Sequence, residues 1–175
     1  MTERLSERVR SVSLLELVIV VILVAIFIRV AIDRIWPLRI VAEKTAVVEV
    51  RGAIESALGI TVAARIARGA PLAAIAQLAG SNPIRFLAAP PDNYLGSFAH
   101  PGRHRIPGGS WYFNRSRRTL VYVVRFASHF TSSLPGRKRI RFRVEAVYRG
   151  RGHAPDDLAG IRLVELNRYV WKVPR

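Results

Sequence analysis

Arginine is the residue type best equipped for chemistry in this sequence, and it gathers in two clusters: Arg115, Arg117 and Arg118, then Arg137, Lys138, Arg139, Arg141 and Arg143. A guanidinium presents a rigid fork of donors that matches phosphate and carboxylate oxygens, so both clusters are candidate anion-binding surfaces. Tyr122, Phe126, Phe130 and Phe142 stand near them in sequence, and basic groups beside aromatic ones can track a phosphate backbone and stack on bases. The competing account is a solvated arginine face, or one that meets acidic neighbours or acidic headgroups, and this account is preferred. Nucleic acid is the less favoured partner.

Other chemistry is absent. There is no cysteine, hence no disulfide framework and no thiolate nucleophile. The four histidines, His100, His104, His129 and His153, lack HExxH or comparable ligand spacing, so no metal and no cofactor is expected. No nucleophile elbow, P-loop or dinucleotide fingerprint occurs, and the acidic residues after Pro37 are too few and scattered to form a carboxylate pair. An enzyme is not expected.

The charge balance is strongly basic, with 28 Lys and Arg against 12 Asp and Glu, a formal net charge of +16. Most of the excess lies after Pro37, with 23 basic and 8 acidic residues against 5 and 4 in the first 37. The length of 175 residues suits one domain of about 140 residues behind an apolar segment.

That segment is the strongest signal in the chain. Residues 12–28, VSLLELVIVVILVAIFI, are seventeen positions of which only Ser13 and Glu16 are polar. As a helix they span roughly 25 Å, just short of a hydrocarbon core of about 30 Å. The following RVAIDRIW extends the run, with Arg29 and Asp33 spaced as an i, i+4 pair and Trp36 where amphipathic rings settle at an interface. Pro37 is expected to bend or restart the helix. A cleaved secretory signal lacks its small-residue site here, and a domain this small has little material to enclose a helix apolar on all sides, so a membrane anchor is the reading. Arginines flank the segment on both sides, so charge does not set its orientation. Glu16 is the anomaly: a carboxylate at membrane depth costs about 2.5 kcal/mol or more unless paired.

The run Ser11, Val12, Ser13, Leu14, Leu15, Glu16, Leu17, Val18, Ile19 and Val20 resembles the processing and assembly signature of type IV pilins and type II secretion pseudopilins. The resemblance implies that a prepilin peptidase cuts after Ser11, which stands where the family usually has Gly. Val12, in place of the usual N-methylated Phe, becomes the new N-terminus. Glu16 then falls fifth, where the family's glutamate pairs with the N-terminal amine of a neighbouring subunit. It further implies a filament of like or related subunits, held in the inner membrane before assembly, with the globular part in the periplasm or on the cell surface. The later segments NYLGSF, GSWYFNRSRRTLVYVVRF and RIRFRVEAVY also look like pseudopilin-like proteins of Gram-negative bacteria.

The expected organisation is a charged leader at 1–11, a transmembrane and assembly helix at 12–36, and a globular domain at 37–175. After Pro37, apolar residues at helical spacing continue the helix, with Gly59 and Gly69 as candidate ends or kinks. APLAAIAQLAG reads as a short helix with Pro71 in its first turn. The segment 81–110 is dense in Pro, Gly and Asn and reads as a long loop with one helical turn at 84–88. Three strands follow, GSWYFN, RTLVYVVRF and RIRFRVEAVY, as an antiparallel meander, and IRLVELNRYVWKV is a fourth at an edge. In RIRFRVEAVY, Ile140, Phe142, Val144, Ala146 and Tyr148 alternate with Arg139, Arg141, Arg143, Glu145 and Val147, giving one apolar and one largely cationic face. The fold class is α+β: a long apolar N-terminal helix packed on a small antiparallel sheet, as the resemblance also implies.

Overall fold

A computed structural model describes residues 13–149 and 157–173, apart from the side chain of Asp33. Ser11, Val12, the rest of the leader, and the Asp33 partner expected for Arg29 lie outside what is described. The chain divides into two compact units, Met1–Arg39 and Ile40–Arg175.

Helix α1 runs Leu14–Ala67. Pro37 lies inside it, where the missing N–H forfeits one backbone bond without ending the helix, so the expected restart does not occur. Gly59 is likewise internal, a cost of about 1 kcal/mol offset by its buried neighbour Leu58. The helix ends at Gly69. Its N–H donates to the carbonyl of Ile66 (2.9 Å) and that of Ala70 to Arg65 (3.0 Å), a closing pair that needs the left-handed φ of +73° at Gly69.

In the first unit, the described α1 side chains from Leu14 to Trp36, Asp33 thus excepted, are exposed, Leu14 at 80% and Phe27 at 73%. One described helix, α1, is long and apolar enough to cross a membrane by length and composition, and none of its most apolar window is buried.

In the second unit α1 buries a stripe of Ile40, Glu43, Val47, Ile54 and Leu58, steps of three, four and seven that keep one helix face inward. Val48, of the β-branched cluster, is exposed on the other side. The short helix α2, Leu72–Ala76, follows with Pro71 as its N-cap residue, then a single 3-10 turn, Pro83–Phe86.

Among the described residues, seven strands form two sheets. The larger has the order β1-β2-β3-β5-β6: β1 Tyr94–Phe98, β2 Ser110–Asn114, β3 Thr119–Val123, β5 Arg139–Tyr148 and β6 Leu158–Glu165. The smaller pairs β4, Phe130–Ser132, with β7, Tyr169–Trp171. The expected antiparallel meander holds for β2, β3, β5 and β6. The sheet as a whole is mixed, because β1 pairs with β2 in parallel, and β1 lies in the stretch expected to be loop. The C-terminal segment, expected as one strand, is split: β6 is one edge of the larger sheet and β7 turns away to β4.

Strand burial follows from what covers each face. Trp111, Phe113, Leu120, Tyr122, Ile140, Phe142 and Val144 face Val47, Ile54 and Leu58 of α1 in the main core. The opposite face of β2 and β3 carries Tyr112, Val121 and Val123, and Ile106 of the crossover from β1 packs onto them. Both strands are therefore buried at every position, the pattern of a strand covered on two sides. β5 alternates instead, since the crossover leaves its arginine face partly open.

Candidate anion-binding groove

Each arginine is placed by a local feature of the sheet. β2 and β3 are joined by Arg115, Ser116, Arg117 and Arg118, all exposed. The Asn114 side-chain oxygen accepts from the Arg117 N–H (3.1 Å), and Arg118 takes a left-handed φ of 49° to close the turn. The turn is tied to the start of the crossover: Arg115 N–H donates to the Phe98 carbonyl (2.9 Å) and Ser116 Oγ to that of Ala99.

On β5, Arg141 lies opposite Val121 and Arg139 opposite Val123, so these guanidinium groups share the outer face with Tyr112, not the core face. The strand is held by Asn167, a buried residue beyond β6. Its side-chain oxygen accepts from Arg141 N–H (2.9 Å), and its Nδ2 donates to the Arg139 carbonyl (3.3 Å) and to Ser132 Oγ (3.2 Å).

Between this face and the crossover lies a groove of about 780 Å³, lined by Arg103, Arg117, Arg137, Arg139, Tyr112 and Asn114, among others. Arg137 Nη1 donates to the Ile106 carbonyl (2.6 Å), and Arg139 Nη1 to that of Arg137 (3.0 Å). Among the described residues, no Asp or Glu lines it. A second depression of about 520 Å³ shares Arg117 and takes in Arg118 and Arg143, but it also contains Glu145.

The electrostatics record the crowding. The Arg141 guanidinium is pushed below its ordinary pKa, first by burial and then by Arg139, Arg117 and Arg143. Burial raises Tyr112, against the pull of Arg139, Arg137, Arg117 and Arg141. The Nε atoms of Arg141 and Arg143 and Thr119 Oγ1 are buried and lack a hydrogen-bond partner among the described residues.

Of the eight basic residues singled out by sequence, the structure brings Arg117, Arg137 and Arg139 to one groove with Arg141 beside it. Arg118 and Arg143 go to the neighbouring depression, and Arg115 and Lys138 line neither. Three of the four aromatic residues expected beside them are elsewhere: Tyr122, Phe130 and Phe142 are buried in the core and offer no stacking platform. Phe126 is half-buried. Tyr112 is an aromatic residue that does share the groove, and the sequence carries no sign of it because it sits among the apolar residues of β2. Asn167 carried no signal, since its role depends on contacts with strands far away in the chain.

Glu16 lies in the exposed first turn of α1, where a carboxylate suits the positive end of the helix dipole. Among the described residues no group of three or more His, Cys, Asp and Glu could hold a metal. No protein-family model, no curated protein and no solved structure matches the chain.

Proposed function

We propose that this protein is a structural subunit of a type IV pilus or type II secretion filament, a pilin, minor pilin or pseudopilin, anchored in the inner membrane by the first part of α1 until assembly. The observation that carries the reading is the exposed apolar stretch of α1, with the carboxylate of Glu16 in its first turn. About twenty-three residues at 1.5 Å each make roughly 35 Å of helix, long enough to cross a bilayer. Such a surface needs lipid tails or other apolar helices around it, and a filament built from these helices supplies the second once the protomer leaves the first. Cleavage after Ser11 would place the amine of Val12 four residues before Glu16. The carboxylate could then neutralise the amine of a neighbouring subunit, which removes the cost of burying either charge alone.

The experiment is the intact mass and N-terminal sequence of the membrane-extracted protein, made with and without a prepilin peptidase. A terminus at Val12 that depends on the peptidase is the expected result, and Glu16→Leu should then retain processing while abolishing filaments. A chain starting at Met1 in both preparations overturns the proposal. It would leave a single-pass anchored domain, a reading that the arginine-lined groove favours.

A further inference from the structure

We propose that the groove between the sheet and the β1–β2 crossover is a binding site for a phosphoryl group, a tetrahedral oxyanion carrying two or more negative charges. Arg117 comes from the β2–β3 turn, Arg137 and Arg139 from the approach to and start of β5, and Arg103 from the crossover, so four cations reach one concavity from three separate segments. Convergence of this kind is more than a solvated charged face, on which side chains spread apart to reduce repulsion.

Two observations make the ligand an anion. Among the described residues the lining contains no carboxylate, so no described internal counter-ion holds these cations there. The Arg117 side chain, moreover, makes no described hydrogen bond or ion pair, and its fork is free for an oxyanion. Arg137 and Arg139 are oriented by bonds from Nη1 to the carbonyls of Ile106 and Arg137, which use one nitrogen of each fork and leave donors over. A doubly charged oxyanion answers this arrangement better than a carboxylate, because it offers more oxygens to several forks and offsets more of their mutual repulsion. The polar wall is completed by Asn114 and Tyr112, and Ile106 and Val123 supply an apolar side. At about 780 Å³ the groove holds a phosphoryl group together with a substituent of small-molecule size. A long nucleic-acid strand is a poorer fit, as the rings that would stack its bases are in the core.

The test is calorimetric titration of the full chain in nanodiscs of zwitterionic lipid with inorganic phosphate and pyrophosphate, and with dihexanoyl phosphatidate, a phosphomonoester lipid, below its micellar concentration. Saturable binding near one equivalent is expected. Arg117→Gln and Arg139→Gln should each weaken it about tenfold or more, the loss of one charge-assisted hydrogen bond. Arg85→Gln, an exposed arginine outside the groove, should leave it unchanged. Arg117→Gln removes no described contact of its side chain, so a native melting temperature in that variant separates lost binding from lost fold. Binding of pyrophosphate would support a soluble phosphorylated ligand. Arginine-dependent binding of the glycerophospholipid alone would support the same chemistry on a headgroup. Failure of all three to bind overturns the proposal. So does equal weakening by Arg85→Gln, or binding only to oligonucleotides with affinity that grows with their length.

Discussion

The Glu43 carboxylate of α1 accepts a hydrogen bond of 2.9 Å from the Tyr122 hydroxyl on β3, 79 residues further along the chain. The same carboxylate accepts from the backbone N–H groups of Arg125 (2.6 Å) and Phe126 (3.1 Å), just past the end of β3. Glu43 is only 8% exposed. One side chain on the buried stripe of a helix thus answers three donors at a strand end, where the chain leaves the sheet and those amides have no ladder partner.

Replacing Glu43 should accordingly be costly in graded fashion. Glu43→Ala leaves two backbone donors and a hydroxyl without their partner and should destabilise the domain by about 2–4 kcal/mol; Tyr122→Phe, which removes one donor, should cost about 1 kcal/mol. Glu43→Gln should fall between, because its amide nitrogen cannot accept from the Phe126 N–H. Chemical denaturation followed by near-ultraviolet circular dichroism orders the three. Equal stability for Glu43→Ala and wild type would show that the clasp contributes nothing.

The crossover that roofs the groove depends on close backbone approach at Gly108. A Cβ there would come within 2.9 Å of Arg125 Cα and 3.1 Å of the Val124 carbonyl oxygen, and a backbone cannot swing aside as a side-chain tip can. Gly108→Ala should cost about 1–3 kcal/mol by overpacking and weaken phosphate binding together with stability. Full stability with unchanged binding would mean that the crossover adjusts freely.

Alkaline pH should unfold the domain earlier than its arginine content suggests. Tyr169 is pushed up to about 12 by burial and then by Glu165, to which its hydroxyl donates (3.1 Å). Tyr122 is raised by burial and then by Glu43, and Tyr112 by burial. In the unfolded chain these phenols ionise near 10, so above that pH the folded state holds more protons than the unfolded one. Their contribution is intact below pH 10 and is lost as pH rises through the folded values; Tyr122 alone adds a slope of up to about 1.4 kcal/mol per pH unit. Melting temperature should fall steeply above about pH 10, and less steeply in Tyr169→Phe. A flat profile up to about pH 12 would contradict the burial of these hydroxyls.

The order of residues by itself determined the local features. A continuous apolar run with helix-forming neighbours on its C-terminal side makes α1, and Gly69 ends it, because these are matters of propensity and periodicity within a few turns. The alternation of Ile140, Phe142 and Val144 with Arg139, Arg141 and Arg143 already declared one buried and one cationic face. It was silent on β1, since YLGSF has little strand character of its own and is stabilised by parallel pairing with β2. It was silent equally on which arginines meet. Arg117 and Arg139 are separated by β3 and the whole β4 excursion, and only the pairing of β3 with β5, pinned by Asn167, sets them around one groove. Tyr122 and Phe142, neighbours of those arginines in sequence, were carried to the opposite side because successive residues of a strand point to opposite faces and the α1 stripe covers one of them, and Phe130 joins the same core from β4 of the smaller sheet. Tertiary structure alone decided these placements, because each rests on a contact between segments that no local periodicity records.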